Sequence, residues 1–204
     1  MFKIAVLISG GGTNLQSIID AIENRYLSNC KIEYVISDRE DAYGIERAQK
    51  CGIDTFVLNR KEYKKNLSNE ILKILDGKVD LIVCAGYLSI LNGQIIEKFK
   101  NRIINIHPAL IPSFCGKGMY GLKVHSAAIE YGVKVSGCTV HFVDEKTDTG
   151  TIILQKTVEV LPQYDAIELQ KKVLEKEHEA LPEAIKFISE GRVRLKGRKV
   201  FIIK

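Results

Sequence analysis

A chain of 204 residues that is 46% hydrophobic and 27% charged has enough apolar material for a real core, which excludes disorder as a description and favours one domain of ordinary size. No apolar run approaches the ~20 residues that span a bilayer, and the opening MFKIAVLISGGG lacks the small-residue exit of a cleavable signal, so a cytoplasmic protein with no membrane partner is expected. The net charge of +5 is modest and scattered apart from RVRLKGRK near the end; small anionic ligands account for it, and no nucleic-acid partner is expected.

KIAVLIS (3–9) opens the chain as a strand, and Leu15, Ile18, Ile19 and Ile22 then recur with the spacing of one helix face. KIEYVIS (31–37), TFVLN (55–59), VDLIVCAGY (79–87) and RIINIH (102–107) read as further strands rich in Val and Ile, with helical patterns over 44–51, 62–76 and 93–100. This alternation predicts an α/β fold built on a mostly parallel sheet covered on both faces. VSGCTVHFV (135–143) and TIILQKTVEV (151–160) then read as neighbouring antiparallel strands joined by the acidic turn DEKTDTG. A helix is expected from about 165 to 190, capped by Asp165, ended by Gly191, and kinked or divided at Pro182. RVRL, KG and RKVFIIK close the chain as a hairpin. No repeat or linker interrupts this series, so a single domain is expected. The five cysteines lack C-x-x-C spacing and sit mostly in apolar runs, as reduced thiols do, and no metal site is expected.

SGGGTN (9–14) lies where a parallel sheet presents backbone N–H groups and a helix N-terminus to a ligand. Its three glycines allow close approach and Thr13 and Asn14 add side-chain donors, which favours an anion site over a mere tight turn. The loop lacks the lysine of G-x-x-x-x-G-K-[ST], and it departs from G-x-G-x-x-G because Leu15 holds the last position. Asp38, ending the second strand, stands where dinucleotide-binding proteins keep their ribose-binding acid, so a nucleotide-dependent oxidoreductase is a rival reading.

NIHPALIPSF (105–114) breaks an apolar strand with an amide and an imidazole. Alternation puts Asn105 and His107 on one face at the carboxyl end of the strand, where open parallel sheets bind ligands. An amide donor beside an imidazole can stabilise an oxyanion while passing a proton. A carboxylate favouring the imidazolium is needed as well, and Asp144, Glu145 and Asp148 are all candidates that spacing alone does not separate.

SGGGTNLQ, AGYLSIL, NIHPALIPSF and VHFVDEKTDTGTIILQ, in this order, resemble the folate-dependent phosphoribosylglycinamide formyltransferases from residue 3 to about 192. The resemblance implies a Rossmann-like formyltransferase fold in a single domain: a phosphate-binding half over 1–100, a folate-binding and catalytic half over 101–192, and a C-terminal hairpin over 193–204. It implies transfer of a formyl group from 10-formyltetrahydrofolate, a co-substrate, to the amine of glycinamide ribonucleotide in purine biosynthesis, with small-molecule partners, no metal, and a monomer or homodimer. Matched by position, Asn105, His107 and Asp148 form the catalytic trio; Gly12, Thr13 and Asn14 hold the substrate phosphate and Glu177 its ribose. Leu88, Ser89, Ile90 and Leu91 line the pterin pocket through backbone groups, with Asn105, Asp144 and Asp148, while Arg60 lies near the folate. Ser89 replaces an arginine of some members, and SFCGKGMYGLKVH is longer than the family's usual connection, leaving His125 without an assigned role. His141 reads as a packed strand histidine. The alternative within the family is a formyltetrahydrofolate hydrolase, whose known members carry an added N-terminal module, whereas the first strand here begins at residue 3; a relative acting on initiator tRNA carries a further C-terminal domain.

Overall fold

The computed structural model describes residues 1–203 and falls into two compact units, Met1–Asn105 and Ile106 onward. Seven strands are hydrogen-bonded in the order β3-β2-β1-β4-β5-β6-β7, namely β1 (Phe2–Ile8), β2 (Cys30–Ser37), β3 (Asp54–Val57), β4 (Leu81–Cys84), β5 (Ile103–His107), β6 (Val135–Phe142) and β7 (Ile152–Glu159). Pairing is parallel from β3 to β5 and antiparallel between β6 and β7. This is the mostly parallel α/β sheet that the alternating pattern predicted.

In the first unit β1 is buried along Ile4–Ile8, the mark of a central parallel strand covered on both faces. α1 (Thr13–Glu23) buries Leu15, Ile18, Ile19 and Ala21, and α2 (Tyr43–Lys50) buries Ile45 and Ala48. The helix expected over 62–76 is instead α3 (Arg60–Tyr63), a 3-10 turn at Lys64–Asn66, and α4 (Leu67–Leu75). Neither α3 nor the 3-10 turn buries a residue, whereas α4 buries Leu67, Ile71, Leu72 and Leu75; without an apolar face the earlier segment has nothing to hold one continuous helix. β4 stops at Cys84, short of the expected end at residue 87, because the chain leaves the sheet there and Leu88 N–H donates to Ser9 Oγ at 2.8 Å. α5 (Gln94–Lys98) leads into β5.

In the second unit β6 is buried from Ser136 to Phe142, while β7 buries only Ile153 and then alternates half-buried and exposed positions. α6 (Leu122–Tyr131) follows the long loop and was not anticipated, since only Val124, His125 and Ala128 of it are buried and that pattern carries little periodicity. α7 (Ala166–Ser189) packs on β6, β7 and α6. Asp165 caps it in a full capping box with Glu168. Pro182 lies inside α7 without dividing it: one intrahelical hydrogen bond is lost, and burial of Ala180, Leu181, Ala184 and Ile185 around it holds the helix together. β8 (Val193–Lys196) and β9 (Lys199–Ile202) form the expected hairpin. Among the described residues no helix is long and apolar enough to cross a membrane, and no cluster of His, Cys, Asp or Glu is placed to hold a metal.

Candidate active site

In the first unit Gly12 caps α1 with φ 71°, and a Cβ placed there would lie 2.6 Å from Gly44 Cα. Its smallness therefore serves the close approach of α2 to the loop, whereas Gly10 and Gly11 face open space. Gly44 N–H donates to Gly10 O at 3.0 Å and Arg47 Nε to Gly11 O at 2.9 Å. Because a trans peptide points its N–H opposite its C=O, holding these carbonyls on the α2 side turns the N–H groups of Gly11 and Gly12 the other way. α1 begins at Thr13 and Asn14 with no side-chain cap and no acid in its first turn, so its leading N–H groups add to the same positive end.

Asp38 sits just past β2 and is 1% exposed. Its Oδ2 accepts from Ser89 Oγ at 2.5 Å and lies 3.7 Å from Arg60 Nη1, while its backbone oxygen accepts from Arg60 N–H at 3.0 Å. A ribose-binding acid must face the ligand; this one is enclosed by protein partners, which removes the support for a dinucleotide-binding reading. Ser89 thus contributes its side chain to the fold as well as its backbone. Leu88 and Ile90 beside it are exposed and Leu91 is buried. Burial, then the charge of Asp38, push the Tyr87 hydroxyl upward, so it stays neutral.

On β5, Asn105 is the only residue that is not buried. His107, 4% exposed, directs Nε2 at Phe114 O, 2.9 Å away. A carbonyl only accepts, so Nε2 carries hydrogen, and Nδ1 is the nitrogen that faces Asp148 Oδ2 at 3.7 Å. That distance suits an ion pair and is too long for a direct hydrogen bond. Asp148, at φ 57°, is held in the strained left-handed region, and its Oδ2 also accepts from Gly116 N–H at 2.9 Å. Asp144 is engaged by its own turn, accepting from Lys146 N–H at 3.0 Å and Thr149 Oγ1 at 2.7 Å. Of the three acids left open by spacing, Asp148 is therefore the one set against His107.

Two further histidines stand close by. His141, buried in β6 as its pattern predicted, also reaches Asp148: Nδ1 donates to Phe142 O at 2.8 Å and Nε2 lies 3.7 Å from Asp148 Oδ1. Burial lowers its pKa. His125, on α6, is pushed down to about 4 by burial and by the charge of His107, and its Nδ1 has no hydrogen-bond partner among the described residues. In both rings burial disfavours the charged imidazolium. Glu177 is buried on α7 and its charge helps raise the Cys138 thiol, so it does not belong to a solvated helix face. Phe114 and Gly116 were missed by sequence reasoning because they act through backbone atoms, which no side-chain pattern reveals.

The chain matches the formyl transferase family over residues 2–185. It is 42% identical over 207 residues to the phosphoribosylglycinamide formyltransferase of Haemophilus influenzae, covering 99% of this chain and 94% of that protein. Its structure is similar to glycinamide ribonucleotide transformylase 1 of Symbiobacterium toebii, with a TM-score of 0.93, 42% identity, and 100% and 95% of the two chains covered. A formyltetrahydrofolate deformylase from Pseudomonas syringae shares the fold at a TM-score of 0.90 and 24% identity, all of this chain covering 66% of that one. The chain belongs to the formyl transferase family, among its phosphoribosylglycinamide formyltransferases.

Proposed function

We propose that the protein transfers the formyl group of 10-formyltetrahydrofolate to the amine of N1-(5-phospho-D-ribosyl)glycinamide in de novo purine biosynthesis. The observation that carries this reading is the fixed orientation of His107, with Nε2–H donated to a carbonyl and Nδ1 turned to Asp148. The amine attacks the formyl carbon, and the oxygen that becomes negative must be stabilised before the folate nitrogen leaves. Asn105 donates to that oxygen. His107 donates Nε2–H, exchanging its present acceptor, Phe114 O, for the oxyanion, while Asp148 stabilises the imidazolium through Nδ1 and helps relay the proton lost by the amine.

The outward N–H groups of the glycine loop, with Gly12, Thr13 and Asn14, hold the substrate phosphate, and Glu177 holds its ribose. Backbone groups of Leu88–Leu91 and the turn of Asp144 receive the pterin, and Arg60 lies toward the rest of the folate. No step needs a metal, and the protein works as a cytoplasmic monomer or homodimer on small molecules.

The test is to mix purified protein with 10-formyltetrahydrofolate, with and without glycinamide ribonucleotide, and to follow the absorbance of released tetrahydrofolate. Release that requires the acceptor is expected. Release without it would make the protein a hydrolase, like the deformylase whose fold it shares.

A further inference from the structure

Asp38 is the only buried carboxylate among the described residues of the first unit. Burying such a group is costly unless it is hydrogen-bonded and paired, so its presence needs a reason. Ser89 supplies one hydrogen bond, and Arg60 is the one cation within ion-pair reach. Asp38 Oδ1 remains buried with no hydrogen-bond partner among the described residues. Arg60 is tied to Asp38 twice, through its backbone N–H at 3.0 Å and its guanidinium at 3.7 Å, yet its side chain is 40% exposed. A guanidinium has five N–H donors in a rigid fork, so one edge can rest on Asp38 while another faces outward. Ser89 gives the carboxylate a neutral hydrogen-bond partner.

We propose that Asp38, held by the Ser89 hydroxyl, is a positioning residue that fixes the Arg60 guanidinium to receive the carboxylates of the formylfolate tail. This deepens the proposed function and rests on its placement of Arg60 at the folate. Asp38 never touches the co-substrate; it sets where the positive charge stands and limits the rotamer freedom that Arg60 would otherwise lose on binding.

The experiment compares kcat and KM for 10-formyltetrahydrofolate and for the formylated tetrahydropteroate lacking the glutamate tail. Arg60→Ala is expected to raise KM for the glutamate-bearing substrate about tenfold, the loss of one charge-assisted contact, and to leave KM for the tail-less one in place. Asp38→Asn, which keeps shape and an acceptor for Ser89, is expected to move the same ratio in the same direction, in KM rather than kcat. The double variant should be no worse than Arg60→Ala alone. Equal losses on both substrates would mean Asp38 merely supports the fold and would overturn the proposal, as would additive losses. An effect of Arg60→Ala with none from Asp38→Asn would overturn it while leaving Arg60 at the folate. No effect of Arg60→Ala would remove both. Should Asp38→Asn not fold, Ser89→Ala decides by the same ratio.

Discussion

At the scale of single residues, the proposed mechanism has His107 and Asp148, 3.7 Å apart, act as one unit. His107→Ala and Asp148→Asn should each lower kcat by roughly 10²–10⁴-fold, the range of a positioned acid–base group, with little change in KM. The double variant should lose far less than the product of the single losses, because each change alone disables the shared task. Multiplicative losses measured across the four proteins would show two independent roles. In the glycine loop the packing and the proposed phosphate contact can be tested apart. Gly11→Ala projects a methyl into open space and should raise KM for glycinamide ribonucleotide several-fold while thermal stability holds. Gly12→Ala meets Gly44 and a left-handed φ, and should destabilise the fold by about 2 kcal/mol or more. A Gly11→Ala enzyme with unaltered KM would take the phosphate away from this loop.

At the scale of elements, the turn between β6 and β7 is fixed by space as much as by hydrogen bonds. A Cβ on Gly150 would lie 1.7 Å from Phe142 O, the same carbonyl that accepts from His141. Gly150→Ala should therefore cost about 3 kcal/mol, at the upper end for overpacking, visible as a lower urea midpoint at unchanged slope. That glycine follows Asp148 by two positions, so the D-x-G spacing sets a steric requirement beside the acid proposed for catalysis. This explains what could be read in advance. Apolar spacing in Leu15–Ile22, Val/Ile runs and the Asp165 cap disclosed most strands and helices, because burial and capping leave marks in residue type. The break at Lys64–Asn66 and α6 were hidden, since each depends on where a neighbouring surface ends. Asn105 and His107 announced themselves as polar groups in an apolar strand, but choosing Asp148 over Asp144 required coordinates or the family resemblance. The hold of Phe114 and Gly116 on that pair had no signature in the sequence.

At the scale of the whole molecule, buried neutral histidines make stability depend on pH. His125 titrates near 4 in the fold and near 6.5 when unfolded, so the unfolded chain binds the extra proton between these values. The stability it contributes is present above pH 6.5 and is lost as pH falls toward 4; His141 is shifted in the same direction. The drop in urea midpoint from pH 7 to pH 5 should shrink in His125→Gln, and an unchanged drop would show that His125 is not buried in its neutral form. The chain holds only 4 histidines, few enough for each ring to be resolved separately by nitrogen-15 NMR. His107 then becomes a built-in reporter. Its Nε2 proton, engaged by Phe114 O, is shielded from exchange and should give a sharp downfield signal in the free protein. As a formyl-group analogue binds, that signal should shift while the ring keeps hydrogen on Nε2, making the handover from carbonyl to ligand visible as a change of partner without a change of tautomer.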